Sequence, residues 1–122
     1  MKRSNKGFTL IELIMVIVIL GILAAVAVPK FYGFTTQAHD ESKKAVIGNL
    51  QSAIRMYYAN NLVAGGSGAY PAASTSLFDD LLEDGAPTSD WSVAANGTIT
   101  YAGTTPSSTW SYNASSGKIT AN

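Results

Sequence analysis

The chain has 122 residues and a mass of 12.8 kDa, which allows one small domain beside any apolar segment. The absence of cysteine excludes disulfides, thiolate metal sites and a cysteine nucleophile. Eight basic and eight acidic residues give a formal net charge of zero, but three of the basic residues lie within the first six positions. The rest of the chain is mildly acidic, so no nucleic-acid partner is expected.

The first element is an almost unbroken apolar stretch over residues 7–28. Between Leu13 and Val28 it contains no charged or hydroxyl side chain. Counted from Phe8, a helix of this stretch rises 1.5 Å per residue and is long enough to cross about 30 Å of hydrocarbon. The pattern predicts a membrane-spanning helix.

Three cations precede this stretch with no acid among them, namely Lys2, Arg3 and Lys6. Because positively charged flanks stay in the cytoplasm, we expect a cytoplasmic N-terminus and export of the remainder. A secretory signal would begin in the same way and would be cut after a small-residue site, which Ala24, Ala25 and Ala27 imitate. The apolar run exceeds the usual signal length and leads into a continuing helical pattern, which favours a retained anchor.

Glu12 is the single carboxylate within the apolar stretch. A carboxylate at the centre of a bilayer costs about 2.5–3.5 kcal/mol on insertion scales, and less near one end. Two interpretations follow. Glu12 is a functional residue that needs a partner, or it extends to the headgroups at the cytoplasmic end.

The segment Lys6-Gly7-Phe8-Thr9-Leu10-Ile11-Glu12 resembles the cleavage and methylation motif of type IV pilins and of type II secretion pseudopilins. The resemblance continues through Gly21 and residues 27–31, and more loosely to about Leu62. The Pro-Lys-Phe sequence after the span most resembles pilins of the mannose-sensitive haemagglutinin type, which are type IVa pilins.

The resemblance implies a processing route. A prepilin peptidase would cut between Gly7 and Phe8 and methylate the new amine of Phe8. Glu12 would then pair with the Phe8 amine of a neighbouring subunit during assembly. An ammonium and a carboxylate about one helical turn apart can pair across subunits only with an axial stagger, so the pair would select register.

The resemblance also implies partners and locations. The subunit would wait in the inner membrane as a single-pass protein and then join a helical homopolymer at the cell surface. Its other expected partners are the prepilin peptidase/methyltransferase, the inner-membrane assembly platform with its ATPase, and the outer-membrane secretin. No cofactor and no metal is expected.

Gly21 and Pro29 bracket a weak section of the predicted span. Glycine costs about 1 kcal/mol relative to alanine within a helix, and proline about 3 kcal/mol. In filaments of the resembled family this section is thought to unwind on assembly, which makes it a candidate melting point. The alternative is an ordinary proline kink just outside the membrane.

After Pro29 the pattern becomes that of an amphipathic helix. Asn60-Asn61, followed by Gly65-Gly66-Ser67-Gly68, ends this helix. His39 is the only histidine and is expected to be a solvated surface residue. Aromatic side chains in this half are expected to pack rather than bind a ligand. The predicted apolar stripe consists of Ala38, Val46, Leu50, Ala53, Ile54, Tyr57 and Tyr58, with polar residues including Lys43 and Gln51 on the remaining faces.

A loop-rich connector follows, in which residues 76–83 are typical of a short helix. Ser74, Thr75 or Ser76 can cap it, and Gly85-Ala86-Pro87 stops it. Its acids allow two interpretations, a calcium site of oxygen ligands or a solvated acidic helix, and the absence of EF-hand spacing favours the second.

From Trp91 the pattern changes to a period of two residues, with Asn96-Gly97 as the turn of a hairpin. Two more strands, around residues 108–113 and 117–120, would complete an antiparallel meander of three or four strands. Its inward face should cover the apolar stripe of the helix. That face is drawn from Trp91, Val93, Ile99, Tyr101, Trp110, Tyr112 and Ile119.

The predicted fold class is α+β, and the resemblance implies the type IV pilin fold. The expected segments are a cleaved leader at 1–7, a transmembrane/assembly helix at 8–29, its amphipathic half at 30–62, a connector at 63–90 and a β-sheet at 91–122.

Three classes of function follow. The first is a pilin of an extracellular filament for adhesion, motility or surface contact, and the alternative is the major pseudopilin of a type II secretion system. The third, an anchored enzyme or binding protein, has no supporting catalytic constellation in the sequence, so no enzyme is expected.

Overall fold

The computed structural model describes residues 6–103 and 107–122 and has an α+β fold. The elements are α1 (Leu10–Val63), α2 (Leu77–Leu81), β1 (Trp91–Val93), β2 (Thr98–Tyr101), β3 (Ser108–Asn113) and β4 (Lys118–Ala121). The four strands form one antiparallel sheet in the order β1-β2-β3-β4, with each strand paired to its neighbour in sequence. The predicted long helix and antiparallel meander are confirmed.

The chain divides into two compact units, Met1–Asp40 and Glu41–Asn122. The division falls within α1, so each unit takes part of that helix. We call the second unit the headpiece. The five segments predicted from sequence stay a prediction, although α1 begins at Leu10 rather than Phe8 and ends at Val63.

The headpiece core forms where the helix residues Leu50 and Ile54 meet the sheet and α2. Both side chains are fully buried, as is Ile99 of β2. The inward face predicted for the sheet is confirmed, with four members buried and three partly buried against the core. The buried members are Trp91, Val93, Ile99 and Tyr112, and the partly buried ones are Tyr101, Trp110 and Ile119.

Lys43 was wrongly predicted to lie on the polar face of the helix. Only 7% of its surface is exposed, because its aliphatic stem is covered by the end of the sheet. Its Nζ donates to the hydroxyl of Ser108 at 2.9 Å and lies 5.8 Å from the ring centroid of Tyr101. Conversely, Tyr57 of the predicted stripe is 41% exposed and lies outside the core.

Gln51 joins the helix to the edge strand of the sheet. Its Oε1 accepts the backbone N–H of Ile119 at 2.9 Å, and its Nε2 donates to the carbonyl of Gly117. An amide side chain thus supplies the donor and the acceptor that a fifth strand would offer to β4. Since unpaired edges template unwanted pairing, Gln51 also protects this edge.

The β1–β2 turn differs from the two-residue loop that Asn96-Gly97 predicts. Ala94 N–H donates to the carbonyl of Thr98, which leaves three residues in the loop, with Gly97 last at φ +87°. This odd count pairs Val93 with Ile99, so their side chains share the inner face. A two-residue loop would instead oppose Val93 to Thr100.

The short helix α2 is also shorter than the segment predicted for it. It begins after Ser76, whose hydroxyl donates to the carboxylate of Asp80 instead of capping the backbone. The helix ends before Leu82, which is extended, and Gly85 follows at φ +68°. Leu77 and Phe78 are buried, so α2 is held by packing more than by capping.

Tyr112 fastens the connector to the sheet. Its hydroxyl donates to the carbonyl of Pro71 at 2.7 Å, in a buried position. Burial, reinforced by Tyr70 and Tyr57, raises the pKa of Tyr112 above its ordinary value, so the phenol keeps its proton and remains a donor.

Gln51→Leu tests the clamp on β4. The substitution leaves Ile119 N–H and Gly117 C=O without their side-chain partner, and we expect a loss of about 1–3 kcal/mol in unfolding free energy. The measurement is denaturant unfolding followed by the fluorescence of the two tryptophans. The matched control is the same substitution at Gln37, an exposed glutamine of the first unit. Equal effects of the two substitutions would contradict the clamp.

Candidate functional site at the start of the long helix

The chain enters α1 through a short non-helical segment. Residues 6–9 carry no regular secondary structure and are exposed, and Phe8 is 90% exposed. A side chain added at Gly7 would meet nothing within 4 Å. Nothing in the described fold therefore requires glycine at position 7, and the peptide bond between Gly7 and Phe8 is sterically open.

Thr9 and Glu12 form a reciprocal capping arrangement at the first turn. The carboxylate Oε2 of Glu12 accepts the backbone N–H of Thr9 at 2.8 Å and its hydroxyl at 2.9 Å. In return, Thr9 Oγ1 accepts the backbone N–H of Glu12 at 3.4 Å. This is a capping box, which satisfies donors that a helix N-terminus otherwise leaves without partners.

The capping box gives the Glu12 carboxylate polar partners within its own chain. Its Oε2 accepts both Thr9 hydrogen bonds, and the carboxylate lies at the positive end of the helix dipole. Around it, Phe8, Leu13, Met15 and Val16 line an open and mostly apolar groove. The arrangement presents one anionic group, held by its own backbone, at the edge of an apolar surface.

The apolar part of α1 follows directly. It is long and apolar enough to cross a membrane by length and composition, although a signal sequence near an N-terminus would pass the same test. All its large apolar side chains between Leu13 and Val28 are between 45% and 63% exposed. The first unit therefore offers an apolar surface that nothing within the described chain covers.

Gly21 and Pro29 both lie inside α1. A side chain at Gly21 would meet only open space, so no close contact requires glycine there. Pro29 lacks an N–H and cannot donate to the carbonyl four residues earlier, which leaves one helix bond unmade. Their role as a melting section stays a prediction.

The remaining sequence candidates are not brought into this site. His39 is exposed, and Tyr58 stacks on Tyr70 with ring centroids 4.5 Å apart. Within residues 6–103 and 107–122, no group of three or more His, Asp or Glu side chains is placed to hold a metal ion. The capping role of Thr9 was missed from sequence, although the Thr-x-x-Glu spacing before an apolar run signals it.

Comparison with known proteins gives an independent view of this N-terminal region. Residues 2–28 match the model of the prokaryotic N-terminal methylation motif. The chain is 41% identical over 76 residues to a fimbrial protein of Neisseria meningitidis, covering 62% of this chain and 41% of that protein. A type IV major pilin protein, PilE1, of Neisseria gonorrhoeae matches at 41% identity over 76 residues, covering 62% of this chain and 42% of the pilin.

A third relative is a pilus component of Thermus thermophilus. The type IV narrow pilus major component PilA5 of Thermus thermophilus is 54% identical over 48 residues, which are 39% of this chain and 41% of that protein. The match thus spans about two fifths of the length of these curated relatives. No solved structure gives a significant match to the chain.

Residues 2–28 match a prokaryotic N-terminal methylation motif, and within that stretch Glu12 caps the first turn of an exposed apolar helix. The chain is therefore similar to type IV pilins over 62% of its length and carries the N-terminal methylation motif. All three of these relatives are named as fimbrial or pilus proteins. The finer resemblance to the mannose-sensitive haemagglutinin type stays a prediction.

Thr9→Val tests the capping box. Valine keeps the shape of threonine but cannot accept the Glu12 N–H, so the first turn should open more readily, by about 0.5–2 kcal/mol. Amide hydrogen exchange of residues 10–13 in detergent micelles measures the effect, and Thr9→Ser should restore protection. Thr36→Val serves as control, because that hydroxyl only donates back to the carbonyl of Tyr32. Unchanged exchange in Thr9→Val would contradict the capping role.

Proposed function

We propose that this chain is a pilin, the structural subunit of an extracellular type IV pilus-like filament that serves adhesion, motility or surface contact. One observation carries the proposal: three features follow one another directly along the chain. They are a sterically accessible Gly7–Phe8 peptide bond, the capping box of Glu12, and an apolar helix that nothing in the described chain covers. The relatives named as pilins and fimbrial proteins support the same function.

In this proposal, maturation begins at the Gly7–Phe8 bond. A prepilin peptidase removes residues 1–7 on the cytoplasmic face, and the new amine of Phe8 is methylated. The absence of helix at residues 6–9 supports this step, because a protease needs an extended substrate and a helix would have to unwind first. The lack of any contact around Gly7 supports a requirement for glycine that comes from the peptidase.

Assembly then transfers the apolar helix from lipid to a bundle of identical helices. The proposed pair joins the Glu12 carboxylate of one subunit to the Phe8 ammonium of another. In the described chain, Oε2 is the oxygen that accepts both Thr9 bonds, while Oε1 is the second acceptor of the carboxylate. One carboxylate can therefore keep its cap and meet an ammonium.

Gly21 and Pro29 would let the helix adapt within the filament. Each lowers the cost of opening helix bonds between them, and no packing contact at Gly21 would be destroyed by opening. We assign them as the section that melts when subunits assemble.

The filament acts by polymerisation and not by catalysis. Its proposed route includes the inner membrane, where the subunit waits as a single-pass protein with a cytoplasmic N-terminus, and the cell surface, where the polymer is displayed. The assembly platform with its ATPase and the secretin complete the proposed partners. The names of the relatives favour a pilin over the pseudopilin alternative, with which it shares the N-terminal chemistry.

Two substitutions at Glu12 distinguish the role of its charge in filament assembly from its role in capping the helix. Glu12→Ala removes both, and Glu12→Gln keeps an oxygen that can accept the Thr9 bonds while it removes the charge. If the charge pair selects register, both variants should lower the yield of shed filaments by about tenfold or more, with insertion and leader cleavage largely intact. Immunoblots of sheared and membrane fractions measure the yields.

Glu41→Gln is the control, since Glu41 lies on the same helix in the headpiece and pairs there with Lys44 at 2.8 Å. Normal filament yield from Glu12→Gln with a loss in Glu12→Ala would assign Glu12 to capping alone. Normal yield from both would remove Glu12 from assembly.

A further inference from the structure

The turn between β1 and β2 contains the dipeptide Asn96–Gly97. Asparagine followed by glycine is the sequence most prone to deamidation in flexible peptides, because glycine leaves its backbone nitrogen open to reach the side-chain carbonyl carbon. Asn96 is exposed to water and Gly97 is buried. The rate at which Asn96 deamidates therefore depends on how the fold restrains Asn96 and Gly97.

Glycine at position 97 is required by the fold. Its φ of +87° lies in the left-handed region, and an added Cβ would lie 2.5 Å from the carbonyl oxygen of Tyr112 and 3.4 Å from Ala73 Cβ. The first contact is with backbone, which cannot move aside without breaking the β2–β3 ladder. No other residue fits, so the chain must carry glycine after Asn96.

The folded turn holds the groups that would react. Gly97 N–H donates to the carbonyl of Ala94 at 2.9 Å, and Gly97 C=O accepts the N–H of Tyr112 at 2.9 Å. The side-chain Oδ1 of Asn96 accepts the N–H of Thr98 at 3.0 Å. Attack requires the Gly97 nitrogen to lose its proton and turn toward Asn96 Cγ, and all three hydrogen bonds oppose that movement.

We propose that Asn96 is a deamidation site that is silent in the folded headpiece and reacts only when the β1–β2 turn opens. In the reaction the Gly97 nitrogen bonds to Asn96 Cγ, the Cγ–Nδ2 bond breaks, and ammonia leaves with the proton from Gly97. Water then opens the cyclic imide at either carbonyl and gives aspartate or isoaspartate. No oxidant or reductant is needed.

Deamidation at Asn96 is not reversed when the β1–β2 turn closes again. Isoaspartate adds one methylene to the backbone between positions 96 and 97, which lengthens a turn whose residue count sets the register of Val93 against Ile99. It also moves the Gly97 carbonyl away from Tyr112 N–H. A subunit that has opened long enough to react is thereby marked and hindered from closing again.

The test follows Asn96 by peptide mapping and mass spectrometry during incubation of the full chain in detergent micelles at mildly alkaline pH. Four samples are compared at the same pH: the folded chain, the chain in concentrated urea, and a free peptide of residues 94–101 with urea and without it. We expect the folded chain to react at least about tenfold more slowly than the peptide, and the urea sample to match its peptide. Equal rates in the folded chain and the peptide would overturn the proposal.

A destabilised variant links the rate to opening. Ile99→Ala empties a fully buried core position beside the turn and should raise the rate at Asn96 by more than about fivefold, up to the peptide rate if the variant does not fold. Lys118→Ala, at an exposed position, is the control and should leave the rate unchanged. A rate in urea that stays well below that of the peptide in urea, or an unchanged rate in Ile99→Ala, would contradict the proposal that Asn96 reacts when the turn opens.

Discussion

The apolar surface of the first unit is the constraint on which the rest of the molecule depends. Between Leu13 and Val28 the side chains are about half exposed, and nothing in the described chain covers them. At about 25 cal/mol for each Å² removed from water, such a surface must lie in lipid or against other apolar surfaces. A bilayer before assembly and a bundle of identical helices after it are the two environments that the proposed function supplies.

Glu12 makes this otherwise uniform surface directional. A purely apolar helix could slide along its neighbours with little change in energy, whereas a single charge fixes the axial position at which a partner must lie. The capping box holds the carboxylate at the first turn and supplies two donors while the subunit is alone. Glu12 thus has partners within its own chain while the subunit is in the membrane. In the proposed assembly, the same carboxylate sets the axial register between neighbouring subunits.

Sequence patterns predicted the elements whose signal lies in one segment. The apolar run, the period-two strands and the inward face from Trp91 to Ile119 were all visible, because burial repeats with the period of the element. The burial of Lys43 and the contacts of Gln51 were missed because their partners, Ser108 and the edge of β4, are more than sixty residues away in sequence. The three-residue turn was missed because Asn-Gly by itself favours a two-residue loop, whereas the observed loop pairs Val93 with Ile99 on the buried face of the sheet.

The most direct measurement is the intact mass and N-terminal sequence of the protein sheared from the surface of its native cells. We expect filaments whose subunits begin with methylated Phe8 and lack residues 1–7. A processed chain confined to the cell envelope would contradict the extracellular filament and favour a pseudopilus. A chain that still begins at Met1 where the peptidase is active would contradict the proposed role of the Gly7–Phe8 bond.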